Sequence, residues 1–172
     1  MIRAFVRATT RGGCHTPSVV ANAYLRWLHT QGISHPRHER CLTGWLLGHK
    51  ELFSQRAPGN TCLSALIAMR SPEDMATNDS KGCGGVMRVA PIGMMLAGLS
   101  LRSPSSHEEN FIQSFELGCQ IAGITHGHPT GKLASGVFSA IVYLLLNGKG
   151  LRSVDLQASQ MTAPTSAKKE PK

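Results

Sequence analysis

The sequence predicts an all-α protein, and three observations lead to that prediction. Apolar residues recur at helical spacing in several separate segments, and no stretch of any length alternates apolar and polar residues as a strand would. The apolar residues are mainly Leu, Ala, Met and Ile, while aromatic residues make up only 5% of the chain, which favours helix over sheet. A chain of 172 residues fits one domain with a sizeable core.

The first predicted helix has Thr16 as its expected cap and Pro17 at its first helical position. Apolar side chains then recur at helical spacing as far as Leu28, and Gly32 marks the end. A turn-rich stretch follows. The segment "PGNTCLSALIAM" then predicts a second helix, capped by Asn60 or Thr61.

Two further helices are predicted on either side of residue 105. The segment "APIGMMLAGL" is apolar and helix-compatible from Pro91. The next helix has the spacing of a capping box twice, at Ser105/Glu108 and at Ser106/Glu109.

The last predicted helix starts near Pro129 and stops at Asn147-Gly148. It contains the longest apolar run of the chain, residues 137–146. Ten residues are too few to span a bilayer, so no membrane association is expected.

The chain has a formal net charge of +8, but the basic residues are scattered rather than clustered. Such a balance suits an anionic ligand and nonspecific nucleic-acid contact equally well. After residue 160 the helical periodicity ends in a segment of prolines, small residues and lysines. We therefore predict a helical domain over residues 1–155 and a disordered basic tail over residues 156–172, with nucleic-acid binding by the tail disfavoured because it has only three lysines.

Five cysteines, an odd number with no CxxC pair, argue against a disulfide framework and a four-thiolate zinc site. The arginine-rich start lacks the apolar segment of a signal peptide. The expected location is the reducing cytoplasm.

The segment "NDSKGCGGVMR", residues 78–88, is the strongest candidate for a binding loop. Its glycines could turn backbone N–H groups inward around an anion, because glycine reaches positive φ without strain, and Ser80 and Lys81 could add a hydroxyl and a charge. The alternative is a tight turn between helices whose glycines permit close packing. The segment lacks the Gly-Lys-Ser/Thr of a Walker motif.

A second polar cluster, "GITHGHPTG", occupies residues 123–131. His126 and His128 diverge at this spacing and no third ligand is indicated, so we expect a ligand-contacting or surface histidine rather than a metal site. The other six histidines are expected to be solvated. Neither a catalytic pair of carboxylates nor a base for a cysteine nucleophile is evident, and we assign neither catalytic nor metal-binding residues.

The segments "PGNTCLSAL", "NDSKGCGGVMRVAPIG", "THGHP" and "ASGVFSAIVYLLLNG", in this order, resemble the central part of the ADP-ribosylglycohydrolase family, and "AYLRWLHTQG" upstream is similar too. The resemblance covers roughly residues 1–155. It implies a partial orthogonal all-α bundle. It also implies a hydrolase that uses two Mg²⁺ ions to cleave the glycosidic bond between ADP-ribose and an acceptor.

Carried onto this sequence, the resemblance assigns Ser80, Lys81, Gly82, Cys83 and Gly84 to the loop around the ADP-ribose phosphates, although many members have Asn where this chain has Cys83. It assigns His126 to the ligand site. Expected partners are ADP-ribose or an ADP-ribosylated protein.

The sequence departs from the family pattern at both ends. An Asp-Asp-Thr motif is absent near the start and a Gly-Asp-x-Asp motif is absent downstream, and both supply metal ligands in members similar to this one. We therefore expect a truncated homologue with reduced or no activity that does not bind Mg²⁺ and exposes apolar faces that favour self-association. The alternatives are an inactive ADP-ribose-binding module and a non-functional remnant with weak anion binding.

Overall fold

A computed structural model describes residues 2–101 and 107–150 of the chain. Within those residues every regular element is helical, which confirms the all-α prediction. The α-helices are α1 (Ile2–Arg11), α2 (Thr16–Thr30), α3 (His38–Cys41), α4 (Asn60–Ala68), α5 (Ala90–Ser100), α6 (His107–Gly123) and α7 (Pro129–Leu146). Short 3₁₀ turns cover Trp45–Gly48, Lys50–Leu52 and Val86–Arg88.

The core lies between α5, α6 and α7, with α2 packed on one side. Its fully buried side chains are large and apolar, and each contributes about 1.5–3 kcal/mol through burial. They include Leu25, Leu28, Ile92, Leu96, Ile121 and Tyr143. The Tyr143 hydroxyl hydrogen-bonds with Ser100 Oγ at 2.6 Å and with His107 Nδ1 at 2.6 Å, so one buried polar network joins all three helices.

Glycines allow α6 and α7 to approach closely. A Cβ on Gly118 would lie 2.9 Å from Gly136 Cα, and one on Gly136 would lie 2.8 Å from Phe115 O. Ser114 Oγ and Ser139 Oγ hydrogen-bond across the same interface at 2.9 Å. This contact fixes the end of α6 beside the start of α7 and thereby positions the turn at residues 124–128 that connects them.

The helix α7 is the one helix in the described ranges long and apolar enough to cross a membrane by length and composition, with 18 residues. The helix therefore begins before the apolar run at residues 137–146, and its first turns include Thr130 and Lys132. The packing of α7 against α5 and α6 also accounts for its apolar composition, because a central core helix needs apolar side chains along its length.

The predicted helices match α2, α4, α5 and α7 closely, but two caps are wrong. The helix α2 begins at Thr16 itself, and its N-cap is His15. The helix α4 follows Gly59, which has a φ of 74°, rather than a cap at Asn60 or Thr61. In neither case does a side chain cap the helix.

Other predictions were incomplete or lie outside the described residues. No helix was predicted for Ile2–Arg11, where α1 forms and Arg3 Nη1 donates to Thr43 O at 3.2 Å. Both predicted capping boxes begin at a serine within residues 102–106, which the structure does not describe. The predicted tail at 156–172 also lies outside the described residues.

The turn-rich segment after α2 contains two buried histidines that were expected to be solvated. His35 and His38 are only 5% and 7% exposed. His35 Nε2 lies 3.0 Å from Met69 O, and His38 Nε2 lies 3.0 Å from Leu25 O. The prediction was wrong because these rings supply hydrogen bonds that the folded main chain needs.

Candidate ligand site

Residues 78–85 lie against the turn at 125–128, and Asn78 joins the two segments. Asn78 Nδ2 donates to Thr125 O at 2.9 Å, and its Oδ1 accepts from Ser80 N and Gly127 N, both at 3.1 Å. A Cβ on Gly127 would lie 2.6 Å from Ala76 O, so only glycine permits this approach. The asparagine thus sets the geometry of the glycine-rich loop.

Ser80 lies at the centre of this arrangement and is half-buried. Its Oγ accepts from Gly82 N at 3.3 Å and lies 3.4 Å from Thr61 Oγ1 in α4. Lys81, Gly82 and Cys83 follow on the surface, and Gly84 is half-buried. The five predicted loop residues therefore form a continuous rim beside the buried turn.

The glycines of this loop do not have the backbone geometry expected of an anion nest. Positive φ is absent at Gly82, Gly84 and Gly85, so the proposed left-handed conformations are not there. A Cβ on Gly84 would lie 3.0 Å from His126 Cε1, and one on Gly85 would lie 2.9 Å from Ser135 Oγ. Close packing, the alternative reading, explains these two glycines.

His126 is buried directly beneath the loop, with 2% of its surface exposed. Its Nδ1 lies 2.9 Å from Thr125 Oγ1, and the opposite edge of the ring faces Gly82 and Gly84. Burial lowers the pKa of His126 below its ordinary value, and the positive charge of Arg88 lowers it further. The imidazole is therefore neutral at pH 7 and has one N–H group to donate.

Arg88 links the loop to the same turn. Its Nε donates to Gly84 O at 2.6 Å, and its Nη2 donates to Thr125 Oγ1. The guanidinium carbon lies 4.8 Å from the centre of the Tyr24 ring. Burial raises the pKa of Tyr24, although Arg88 opposes that effect, so the ring is a neutral stacking surface for the guanidinium.

The start of α7 lies beside the loop, since a Cβ on Gly131 would be 3.2 Å from Ser80 O. His128 caps this helix by accepting a hydrogen bond from Thr130 N at Nδ1, at 3.0 Å. A helix of 18 residues carries partial positive charge at its N-terminus. The start of α7 therefore adds partial positive charge beside the loop, next to the backbone of Lys81.

A divalent metal does not fit the described residues. They contain no group of three or more His, Cys, Asp or Glu side chains that could hold an ion. Asp79 is the acid nearest the loop, but its side chain is 89% exposed and lies 3.7 Å from His128 Nε2. Hard cations such as Mg²⁺ need several oxygen ligands in one place, and the described residues do not bring such ligands together.

Among the described residues, no hydrogen bond pairs Cys14 or Cys83 with a base. Cys14 donates to Ala4 O at 3.2 Å, while the neighbouring His15 ring hydrogen-bonds with Ser18 Oγ at 2.6 Å. Cys83 is free and exposed on the loop.

Two residues that shape the site were not predicted as site residues. Asn78 precedes Ser80 by two positions, the spacing of an Asx turn, so the sequence held a usable signal for it. Arg88 reaches Thr125 across 37 positions, and no local pattern indicates that contact.

A cavity of about 590 Å³ adjoins the site at Asn78. It lies between α4 and the segment that follows that helix, and Arg70, Asp74 and Thr77 are among its polar lining residues. This volume lies within the range of small-molecule sites.

These features define a class: an all-α protein whose candidate anion site is made by a glycine-rich loop, a buried neutral histidine and the start of a core helix. The family model for ADP-ribosylglycohydrolases matches residues 1–169, nearly the whole chain. The chain belongs to the ADP-ribosylglycohydrolase family. This family acts on ADP-ribosylated substrates and generally uses a divalent metal. Neither the curated proteins nor the solved structures yielded a match.

Proposed function

We propose that this chain binds the ADP-ribose part of an ADP-ribosylated substrate, with the phosphates held by the loop from Ser80 to Gly84 and by His126. The observation that carries the proposal is His126, a buried neutral imidazole whose free edge faces the loop next to the positive start of α7. A pyrophosphate can accept hydrogen bonds from the imidazole and from main-chain N–H groups, and it is attracted by the surrounding positive charge.

The adjoining cavity supports the same proposal. It meets the loop at Asn78, and its volume of about 590 Å³ leaves room for the nucleoside part of the ligand. A ligand that extends from the loop into this cavity would use both the charge of the rim and the apolar walls formed by Ala65, Ala68 and Ile124.

Hydrolysis by this chain alone is expected to be weak or absent. The described residues do not gather the carboxylates that Mg²⁺ requires, whereas the family generally uses a divalent metal. A hydrolase completed by residues outside those described, or by a partner chain, is the second candidate, and family membership favours it. Truncation, cytoplasmic location and self-association through exposed side chains such as Trp45 and Leu46 stay predictions.

Calorimetric titration of the purified chain with ADP-ribose, with and without Mg²⁺, tests the proposal. We expect binding that does not need Mg²⁺. Binding only with Mg²⁺, together with release of ADP-ribose from a modified protein, would favour the hydrolase. The absence of binding in both buffers, from a chain shown to be folded, would overturn the proposal, and salt-sensitive affinity for DNA alone would indicate nonspecific anion binding.

The variant Ser80→Asp locates the site. A carboxylate at this position would repel the phosphates, and the affinity should fall about 100-fold because like charges in contact cost several kcal/mol. Ser34→Asp adds the same charge at an exposed serine between α2 and α3 and should leave affinity nearly unchanged. Equal losses in both variants would mean that only net charge matters.

A further inference from the structure

Three side chains form a hydrogen-bonded chain that ends at the candidate ligand site. Arg88 Nη2 donates to Thr125 Oγ1, and Thr125 Oγ1 lies 2.9 Å from His126 Nδ1. Within the described residues these are the hydrogen bonds of the Thr125 hydroxyl. The order of the donors along this chain decides which nitrogen of His126 carries the proton.

Arginine has donors only, so Arg88 must occupy one lone pair of Thr125 Oγ1. If His126 also donated from Nδ1, Thr125 Oγ1 would accept twice, and its own proton would have no acceptor among the described residues. If the Thr125 hydroxyl instead donates to Nδ1, the hydroxyl proton, the Arg88 donor and Nδ1 all have partners. The second arrangement places the histidine proton on Nε2.

The Nε2 edge is the edge that faces the loop. A Cβ on Gly84 would lie 3.2 Å from His126 Nε2, and one on Gly82 would lie 3.5 Å from it. Because both positions are glycine, the loop packs closely over this edge without a side chain that would cover Nε2. No hydrogen bond of Nε2 occurs among the described residues, so its proton is available to an oxygen that enters there.

Arg88 is itself held in place from three directions. It donates to Gly84 O at 2.6 Å, it stacks over Tyr24, and it reaches Thr125. A lysine has a single ammonium group on a flexible stem and cannot make both donations in fixed planar geometry. The position of the guanidinium therefore fixes the Thr125 hydroxyl, which in turn fixes the imidazole.

We propose that Arg88 and Thr125 are positioning residues that set the tautomer of His126, so that its Nε2–H group points at a phosphate oxygen of the ligand. The proposal rests on the proposed function for the ligand, but the tautomer itself can be measured without any ligand. Neither residue needs to touch the ligand.

The tautomer is measured by long-range ¹⁵N–¹H NMR of the histidine-labelled chain at pH 7.5, with His126→Phe used to identify the signals. We expect a protonated Nε2 and an unprotonated Nδ1 in the unaltered chain. Thr125→Val, which removes only the hydroxyl, and Arg88→Met should each give a mixture of tautomers. Thr125→Ser keeps the hydroxyl and should retain the original tautomer.

Titration with ADP-ribose then tests the consequence. Thr125→Val should lower the affinity about twofold for an even mixture, because only the Nε2–H tautomer donates to the phosphate, and Thr125→Ser should restore it. A proton on Nδ1 in the unaltered chain would overturn the proposal. So would an unchanged tautomer in Thr125→Val, or an altered tautomer with unchanged affinity.

The two proposals fail in different ways. If ADP-ribose does not bind the unaltered chain, the proposed function fails, while the NMR result still decides whether Thr125 sets the tautomer. Circular dichroism of each variant checks the fold. If Arg88→Met does not fold, the comparison of Thr125→Val with Thr125→Ser decides alone.

Discussion

Two regions of the molecule bury histidines, and they use them in opposite ways. In the segment after α2, His35 and His38 have both ring nitrogens engaged with the main chain: each Nδ1 accepts a backbone N–H, from Arg37 and His35, and each Nε2 meets a carbonyl. Beneath the glycine-rich loop, His126 has Nδ1 engaged with Thr125, while its Nε2 edge lies against Gly82 and Gly84, where no side chain of the loop covers it.

The difference separates a structural histidine from a candidate ligand-binding one. A ring whose two nitrogens are satisfied by the main chain stabilises the fold and has nothing left to offer a ligand. A ring held by one nitrogen, with the other facing a loop of glycines, is oriented and still available. Burial alone does not distinguish the two cases, because all three rings are buried.

The largest expected effect is on stability, from His38→Phe. The variant leaves His35 N without its acceptor, whereas Leu25 O lies inside α2 and keeps its helical position, so the free energy of unfolding should fall by about 1–3 kcal/mol. Urea unfolding measures the change, and His49→Phe, at an exposed histidine, is the control. The affinity of the folded variant for ADP-ribose should not change. A loss of stability no larger than that of the control would mean that these hydrogen bonds contribute little.

The sequence predicted more of the fold than of the contrast between the structural histidines and His126. Helical periodicity and proline positions located α2, α4, α5 and α7, because those signals are local. The loop residues from Ser80 to Gly84 and His126 were also found in advance, although their roles remain predictions. The histidines at 35 and 38 were misread, because their partners Met69 and Leu25 lie 34 and 13 positions away and leave no pattern in the sequence.

The next expected effect is on ligand affinity, from Gly82→Ala. The added methyl would lie 3.4 Å from Ser80 Oγ and 3.5 Å from His126 Nε2, which are ordinary contacts, and Gly82 does not have positive φ. Stability should therefore change by less than about 0.5 kcal/mol. The methyl would nevertheless occupy the space where a ligand oxygen approaches Nε2, and the affinity for ADP-ribose should fall about tenfold.

Gly98→Ala is the matched control for this variant. Gly98 is exposed in α5, and a Cβ there would meet nothing within 4 Å. This variant should raise the free energy of unfolding by about 0.5–1 kcal/mol through helix propensity and leave affinity unchanged. An unchanged affinity in Gly82→Ala would place the ligand away from His126 and remove the contrast between the two regions.

The smallest expected effect is the pH dependence of stability, which both regions share. Burial is the main cause that lowers the pKa of His38 and of His126 below the ordinary 6.5, so the unfolded chain binds more protons than the folded chain below that pH. The contribution of these rings to stability is therefore complete above about pH 6.5 and is lost as the pH falls toward their lower folded pKa values. Urea unfolding at pH 7.5, 6.5 and 5.5 should show a decreasing free energy of unfolding, and His38→Phe should show a smaller decrease.

The affinity for ADP-ribose should depend on pH differently from stability over the same pH range, because the two histidines respond differently to a proton. A proton added to His126 places a positive charge beside the phosphates, whereas a proton added to His38 breaks the hydrogen bond that Nδ1 accepts from His35 N. The affinity of the folded chain for ADP-ribose should therefore hold or rise between pH 7.5 and 5.5, while stability declines. Carboxylates titrate at lower pH, and the pKa of Asp74 is lowered further by the N–H groups of Ser71 and Arg70. The opposite result would be that affinity and stability both fall as the pH is lowered, in His38→Phe as well as in the unaltered chain. The fold would then need His126 in its neutral form, and His126 would be a structural histidine.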